Sequence, residues 1–185
     1  MELDEVMKVL AAFERERVDY VLVGGIALLQ YVEGRNTEDI DLIMAVSALE
    51  RLPELQLESR DADFVRSRYG ELRVGVLLTS NPLFDEVRKR YTMSRRFVEQ
   101  EIPCATVEGL ILLKLYALPS LYRQGNFTRV SLYENDIATL MHTYNASIQS
   151  LLDELKRYVD QRDMAQIEQR VEEIQERIRR FEERR

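Results

Sequence analysis

The sequence predicts an α/β (α+β) protein: a core with a small mixed sheet over residues 1–105, followed by a helical C-terminal region over 106–185. Two observations carry this. Up to Ala105, short β-branched or alternating runs are cut by glycine, asparagine and proline, as strands joined by turns are; after Thr106, apolar residues recur at spacings of three and four, as on helices. The 185 residues, 45% hydrophobic and 32% charged, allow one proper core with a small second lobe.

Taken in order, Leu3, Val6, Met7, Leu10 and Phe13 form the apolar stripe of a first helix ending near Arg17. Tyr20 to Val23 is a strand stopped by Gly24 and Gly25, and Ile26 to Val32 continues as helix. Asp39 to Met44 reads as a second strand, and Ser47 to Leu55 as a short helix or turn broken by Pro53. Alternation in Asp63 to Arg68 and in Leu72 to Leu78, either side of Tyr69-Gly70, predicts a hairpin. Asn81 can cap a helix that has Pro82 at its first position and Leu83, Phe84 and Val87 on its inner face. Met93 to Ala105 adds strands.

Thr106 can cap a very apolar helix through Leu118, which Pro119 interrupts. Arg129 to Tyr144, Ser147 to Val159 and Asp163 to Arg184 are further helices. In the last, Met164, Ile167, Val171, Ile174, Ile178 and Phe181 make a heptad seam, and Ile148, Leu152, Leu155 and Val159 offer a matching stripe on its predecessor. A long antiparallel helical hairpin and a homodimer formed through the C-terminal helices both satisfy that pattern.

A net charge of −7 gives no global field for nucleic acid, so any polyanion must be met locally. One cysteine, Cys104, excludes an intramolecular disulfide, and one histidine, His142, removes the usual histidine metal sites. The acidic opening MELDEVMKVL resembles neither a signal peptide nor a membrane span, so a soluble cytoplasmic protein with no membrane partner is expected.

The chemistry concentrates in VGGIALLQYVEGRNTEDIDL, residues 23–42. Alternation along a strand puts Asp39 and Asp41 on one face, with Ile40 and Leu42 on the other. Paired carboxylates repel unless a cation neutralises them, and hard oxygen donors suit Mg²⁺ or Mn²⁺, ions that bind phosphate oxygens in turn. The Gly24-Gly25 turn permits close backbone approach and can present N–H groups to a phosphate. The alternative is that the two aspartates line a solvated strand face.

The combination of Gly24 and Gly25 with Arg35-x-Thr37-x-Asp39-Ile40-Asp41 resembles the nucleotidyltransferase superfamily, and more narrowly its minimal and AbiEii-like bacterial members of toxin–antitoxin and abortive-infection loci. The resemblance implies a nucleotidyltransferase core in which Asp39 and Asp41 hold the metals that carry an NTP substrate and the glycine turn holds its phosphates. It also implies Mg²⁺ or Mn²⁺ as cofactor, transfer of NMP to a hydroxyl of a protein or RNA acceptor, and a cognate toxin or antitoxin as partner. Downstream, Lys114 in Leu110-Ile-Leu-Leu-Lys-Leu-Tyr-Ala117, then Arg123, Arg129 and Asp136, match the family more loosely. Arg35, Thr37, Lys114 and Arg123 are thereby candidate nucleotide-binding residues. For Arg35 the alternative is to hold the loop; for Lys114, to snorkel from the core edge; for Arg123, to sit on the surface; Asp136 is expected to pair with a nearby base.

The superfamily pattern has a third carboxylate on a neighbouring strand, and in Leu72-Arg-Val-Gly-Val-Leu-Leu78 its place falls on Gly75. A module that binds nucleotide without turnover, substitution by Glu71, and a displaced alignment each account for it. Elsewhere, Arg88-Lys89-Arg90 and Arg95-Arg96 with Tyr91 and Phe97 are either an RNA contact or solvated faces. Cys104 is expected to be inert packing, and His142 a cap or surface residue.

Overall fold

The computed structural model describes residues 3–32, 37, 39–98 and 100–183. They divide into two compact units, Met1–Thr106 and Val107–Arg185.

In the first unit, α1 (Leu3–Arg15) is followed by β1 (Tyr20–Val23), α2 (Gly24–Leu28), β2 (Asp39–Met44) and α3 (Val46–Leu49). Then come β3 (Gln56–Arg60), β4 (Phe64–Tyr69), β5 (Leu72–Leu78), α4 (Pro82–Arg90), β6 (Thr92–Phe97) and β7 (Gln100–Ala105). The seven strands form one sheet in the order β3-β4-β5-β2-β1-β7-β6. The β2–β5 and β1–β7 pairs are parallel and the others antiparallel, so the sheet is mixed as expected.

Local chemistry accounts for most of the boundaries. Arg17 takes a left-handed φ of 50°, and with the Val18 N–H turned back to the Phe13 carbonyl it ends α1. Asn81 caps α4, its side-chain oxygen accepting from the N–H groups of Leu83 and Phe84, with Pro82 opening the helix. The exception is β3, which no sequence pattern announces: Gln-Leu-Glu-Ser-Arg is an edge strand exposed along its whole length, so burial selects no alternation there. A register shift between Leu57 and Ser59 interrupts its pairing with β4.

Alternation gives the sheet two unlike faces. Ile40, Leu42 and Met44 of β2 lie with Val74, Val76 and Leu78 of β5 on a buried face. Asp39 and Asp41, beside Arg73 and Gly75, lie on the other, where Arg66 of β4 is exposed. Burying aliphatic side chains like those of the first face contributes about 1.5–3 kcal/mol each, which fixes the register because a one-residue slip would exchange the faces.

The second unit contains α5 (Val107–Arg123), α6 (Phe127–Tyr144), α7 (Ile148–Leu155) and α8 (Gln161–Glu182). The helix expected to break at Pro119 instead runs through it to Arg123. Proline cannot donate to the carbonyl one turn back, but Leu118, Pro119 and Leu121 are buried there, and packing overrides the local penalty. Asn126 caps α6 by accepting from the Arg129 N–H, and Asp160 caps α8 by accepting from the Asp163 N–H. A long hairpin is formed by α5 and α6, and α8 lies along both. Met164, Ile167, Val171 and Ile174 of the seam are buried within the chain itself. Among the described residues, no helix is long and apolar enough to cross a membrane.

Candidate active site

The site is built on the ends of two parallel neighbours, β2 and β5, and on the glycine turn after β1. Register puts Asp39 beside Arg73 and Asp41 beside Gly75 across the β2–β5 pair, and Val23 beside Asp41 across β1–β2. Asp41 therefore stands between the two glycine positions, Gly24 immediately after Val23 and Gly75 opposite.

Both glycines make room for its carboxylate. A Cβ on Gly24 would fall 2.7 Å from Asp41 Cβ and collide with Oδ2, and a Cβ on Gly75 would collide with Oδ1. Gly24 also has φ 65°, which a side chain rarely tolerates. Gly25 does the same for Thr37, whose Cβ would lie 2.8 Å from a Cβ on that glycine. Thr37 in turn donates from Oγ1 to the Asp39 carbonyl at 3.1 Å, tying the entry of β2 to the turn.

Asp39 faces a cation. Arg73 Nε lies 2.8 Å from Asp39 Oδ1, with both side chains partly exposed. That oxygen is itself buried and accepts no directed hydrogen bond. A buried carboxylate oxygen with an unused lone pair, next to a second carboxylate on the same face, fits a hard divalent cation of the Mg²⁺ type. Such ions take one or two protein carboxylates and complete their shell with phosphate oxygens and water. No cluster of three or more acidic, histidine or cysteine side chains suited to a metal occurs among the described residues.

Gly75, the position to which the sequence resemblance assigns a third carboxylate, lies beside Asp41. Glu71 lies in the exposed turn that precedes β5 rather than on the strand. Arg35 lies outside the described residues. Lys114 and Arg123 belong to the second unit. Lys114 is buried, with Nζ 2.8 Å from Asp136 Oδ2 and 4.2 Å from the centre of the Tyr133 ring. The expected pairing of Asp136 with a base is thus present. Arg123 is exposed and meets Asp163 at 2.6 Å, which raises its pKa further.

The basic run in α4 is largely engaged within the chain. Arg88 meets Asp19 and Asp85, Lys89 meets Asp85, and Arg90 meets Glu86. The hydrogen bond from Lys89, followed by that from Arg88, holds the Asp85 carboxyl below the usual carboxylate range. Arg95 stacks its guanidinium 4.9 Å from the Tyr31 ring centre. His142 is near the end of α6, 3.1 Å from Glu182. Cys104 is fully buried on β7, and burial pushes its thiol up to about 11.

Arg73 is the site residue that sequence reasoning passed over. In one dimension it is an ordinary exposed arginine on an alternating strand. Its partner is set by parallel register, and the one available signal is its i, i+2 relation to Gly75, matching that of Asp39 to Asp41.

No protein-family model matches the chain, and no curated protein sequence matches it. Solved structures do. The crystal structure of ANT(2″)-Ia in complex with adenylyl-2″-tobramycin superposes with a TM-score of 0.55 at 12% identity, covering 90% of this chain and 96% of that one. The solution structure of the antibiotic-resistance factor ANT(2″)-Ia gives 0.53 at 13%, covering 82% and 95%. An antigenic nucleotidyltransferase-like protein from Paracoccidioides brasiliensis gives 0.51 at 18%, covering 90% and 93%. At these identities the likeness is one of fold, and the fold this chain shares with them is the nucleotidyltransferase-like one.

Proposed function

We propose that the chain binds an NTP together with Mg²⁺ or Mn²⁺ and transfers its NMP to a hydroxyl of a protein or RNA acceptor, releasing pyrophosphate. The observation that carries this reading is the placement of Asp39 and Asp41 on one open strand face, with Asp41 lodged between Gly24 and Gly75. Asp39 and Asp41 would hold the cation, which when bound supplies charge to neutralise the phosphates and polarise the one under attack. Gly24 and Gly25 leave the space beside them to Asp41 and Thr37, and their backbone N–H groups would receive the phosphates. Thr37 fixes the strand entry, and Arg35 orients either the loop or the phosphates. Lys114 supports the second unit through Asp136, and Arg123 is the more accessible of the two candidate phosphate-binding cations there. In the transfer, the acceptor oxygen bonds to the α-phosphorus as the bond to the bridging oxygen breaks, and the acceptor proton passes to solvent. The likeness to ANT(2″)-Ia adds an aminoglycoside hydroxyl to the acceptors worth assaying.

A second reading, nucleotide binding without turnover in an antitoxin-like partner-binding module, is favoured by Gly75, which offers no third carboxylate beside Asp41. One experiment separates the two. The chain and its Asp39→Asn and Asp41→Asn variants are incubated with each α-labelled NTP, Mg²⁺ or Mn²⁺, and RNA, protein or aminoglycoside acceptors. Transfer is expected from the unaltered chain and a loss of at least about a hundredfold in each variant. Nucleotide bound without label in any acceptor supports the second reading, and a toxin–antitoxin role predicts that the acceptor or bound partner is the product of an adjacent gene. Binding and transfer that persist unchanged in both variants rule out this site.

A further inference from the structure

The two carboxylates are not flanked symmetrically. Beside Asp39, on the parallel neighbour β5, stands Arg73 with its guanidinium against Oδ1; beside Asp41, on the same strand, stands Gly75 with nothing to offer. The face of β5 next to the carboxylate pair thus presents a cation beside Asp39 and a gap beside Asp41. Asp41 leans into that gap, since its Oδ1 takes the volume a side chain at Gly75 would need.

We propose that the site takes a single divalent cation with the nucleotide, and that the Arg73 guanidinium stands in for a second one. This rests on the nucleotide and metal reading above. Two ions sharing Asp39 and Asp41 would each need further hard oxygen ligands from the protein or the phosphates, and Gly75 supplies none. A second ion on the β5 side of Asp39 would also meet a guanidinium already lying 2.8 Å from Oδ1, where like charge repels it. The arginine suits the substitute role. Its side chain is half exposed beside Asp39, and a guanidinium matches the oxygens of a phosphate in a fork as well as those of a carboxylate. When a cation engages Asp39, Arg73 can turn from the carboxylate to a phosphate of the NTP while remaining on the same strand face. Arg73 is accordingly a phosphate-positioning residue whose charge replaces one metal.

The test counts ions. Mn²⁺ is titrated into the full chain by electron paramagnetic resonance and calorimetry, with and without an α,β-methylene NTP analogue that cannot be transferred. One Mn²⁺ per chain is expected with the analogue present. Arg73→Gln should weaken the analogue by about tenfold and, with no nucleotide present, tighten Mn²⁺, because the competing cation on Asp39 is gone. Combining Arg73→Gln with Gly75→Asp should raise the count to two. Two ions on the unaltered chain overturn the inference alone and leave the nucleotidyltransferase reading standing, whereas no bound ion overturns both. An Arg73→Gln variant with both affinities unchanged, or a double variant that folds and still binds one ion, also overturns the inference. The first two measurements do not depend on whether the double variant folds.

Discussion

Gly24 and Gly70 both have left-handed backbones, with φ 65° and 59°, but only Gly24 stands against another residue. Nothing lies within 4 Å of a Cβ placed on Gly70, whereas one on Gly24 meets Asp41. Gly70→Ala should therefore cost only the backbone term, about 1–2 kcal/mol, and leave Mn²⁺ affinity unchanged. Gly24→Ala should cost more than that in urea unfolding and also weaken Mn²⁺, because Asp41 must move; equal losses in the two variants would show that the glycine turn does not set the aspartate. The Asp-x-Asp pair and the double glycine are legible in sequence because their chemistry is local. That each glycine yields space to a named partner, Asp41 or Thr37, is decided by register and loop path and cannot be read in one dimension. Cys104 gives a second test at this scale. Burial lifts its thiol from an ordinary value near 9 to about 11, so in that window the unfolded chain has lost a proton that the folded chain keeps. Stability from this residue is complete below about pH 9 and lost as pH rises through 11, by up to about 3 kcal/mol. Tyr20, pushed up to about 12 by burial, acts in the same direction at higher pH. The stability of Cys104→Ala should fall less steeply than that of the unaltered chain between pH 9 and 11; parallel curves would contradict the assignment. The expectation of an inert cysteine follows from the same burial.

The helices and strands that follow strict periodicity are legible, and those that depend on distant packing are not. Asn81-Pro82 states the start of α4, and alternation states the β4–β5 hairpin, because cap and pleat are local rules. Pro119 carries an equally clear local signal for a helix end, yet α5 continues through it because buried Leu118 and Leu121 reward continuation. Within the same helix Lys114 is the one position where an apolar face carries charge, and Asp136 of α6 answers it in a buried pair. Removing one member leaves the other charge without that partner in a dry environment. Lys114→Met should therefore destabilise the chain by about 3–5 kcal/mol, and the double variant Lys114→Met/Asp136→Leu should recover most of that loss. Urea unfolding of the four species of the cycle measures the coupling. If Lys114→Met alone is neutral while NTP binding collapses, the lysine serves the nucleotide and its pairing with Asp136 is incidental.

On the scale of the whole chain, composition and punctuation reveal a mixed sheet followed by helices, but they do not reveal which helices pair. The heptad seam at Met164, Ile167, Val171 and Ile174 reads equally well as half of a hairpin with the preceding helix or as a dimer interface, since both arrangements bury the same stripe. The fold resolves this by seating α8 on α5 and α6, where Arg177 donates to the Glu134 carbonyl at 3.1 Å and Arg123 meets Asp163. These four seam positions are buried inside the chain and not available to a second copy without unfolding part of the unit, whereas Phe181 at the far end of the stripe is exposed. Light scattering of the full chain should accordingly return the mass of one chain, 21.8 kDa. Truncation after Val159 removes α8 and uncovers the apolar surfaces it covers on α5 and α6, so the shortened chain should bind hydrophobic dye, aggregate on concentration and lose cooperative unfolding of its C-terminal unit. The opposite pair of results, twice that mass for the full chain and a well-folded monomer after truncation, would mean that the stripe on α8 is shared between two copies. The seam's charged flanks would then be the place to look for the pairing code, because e and g positions beside an apolar stripe set partner and orientation when two helices from different chains meet.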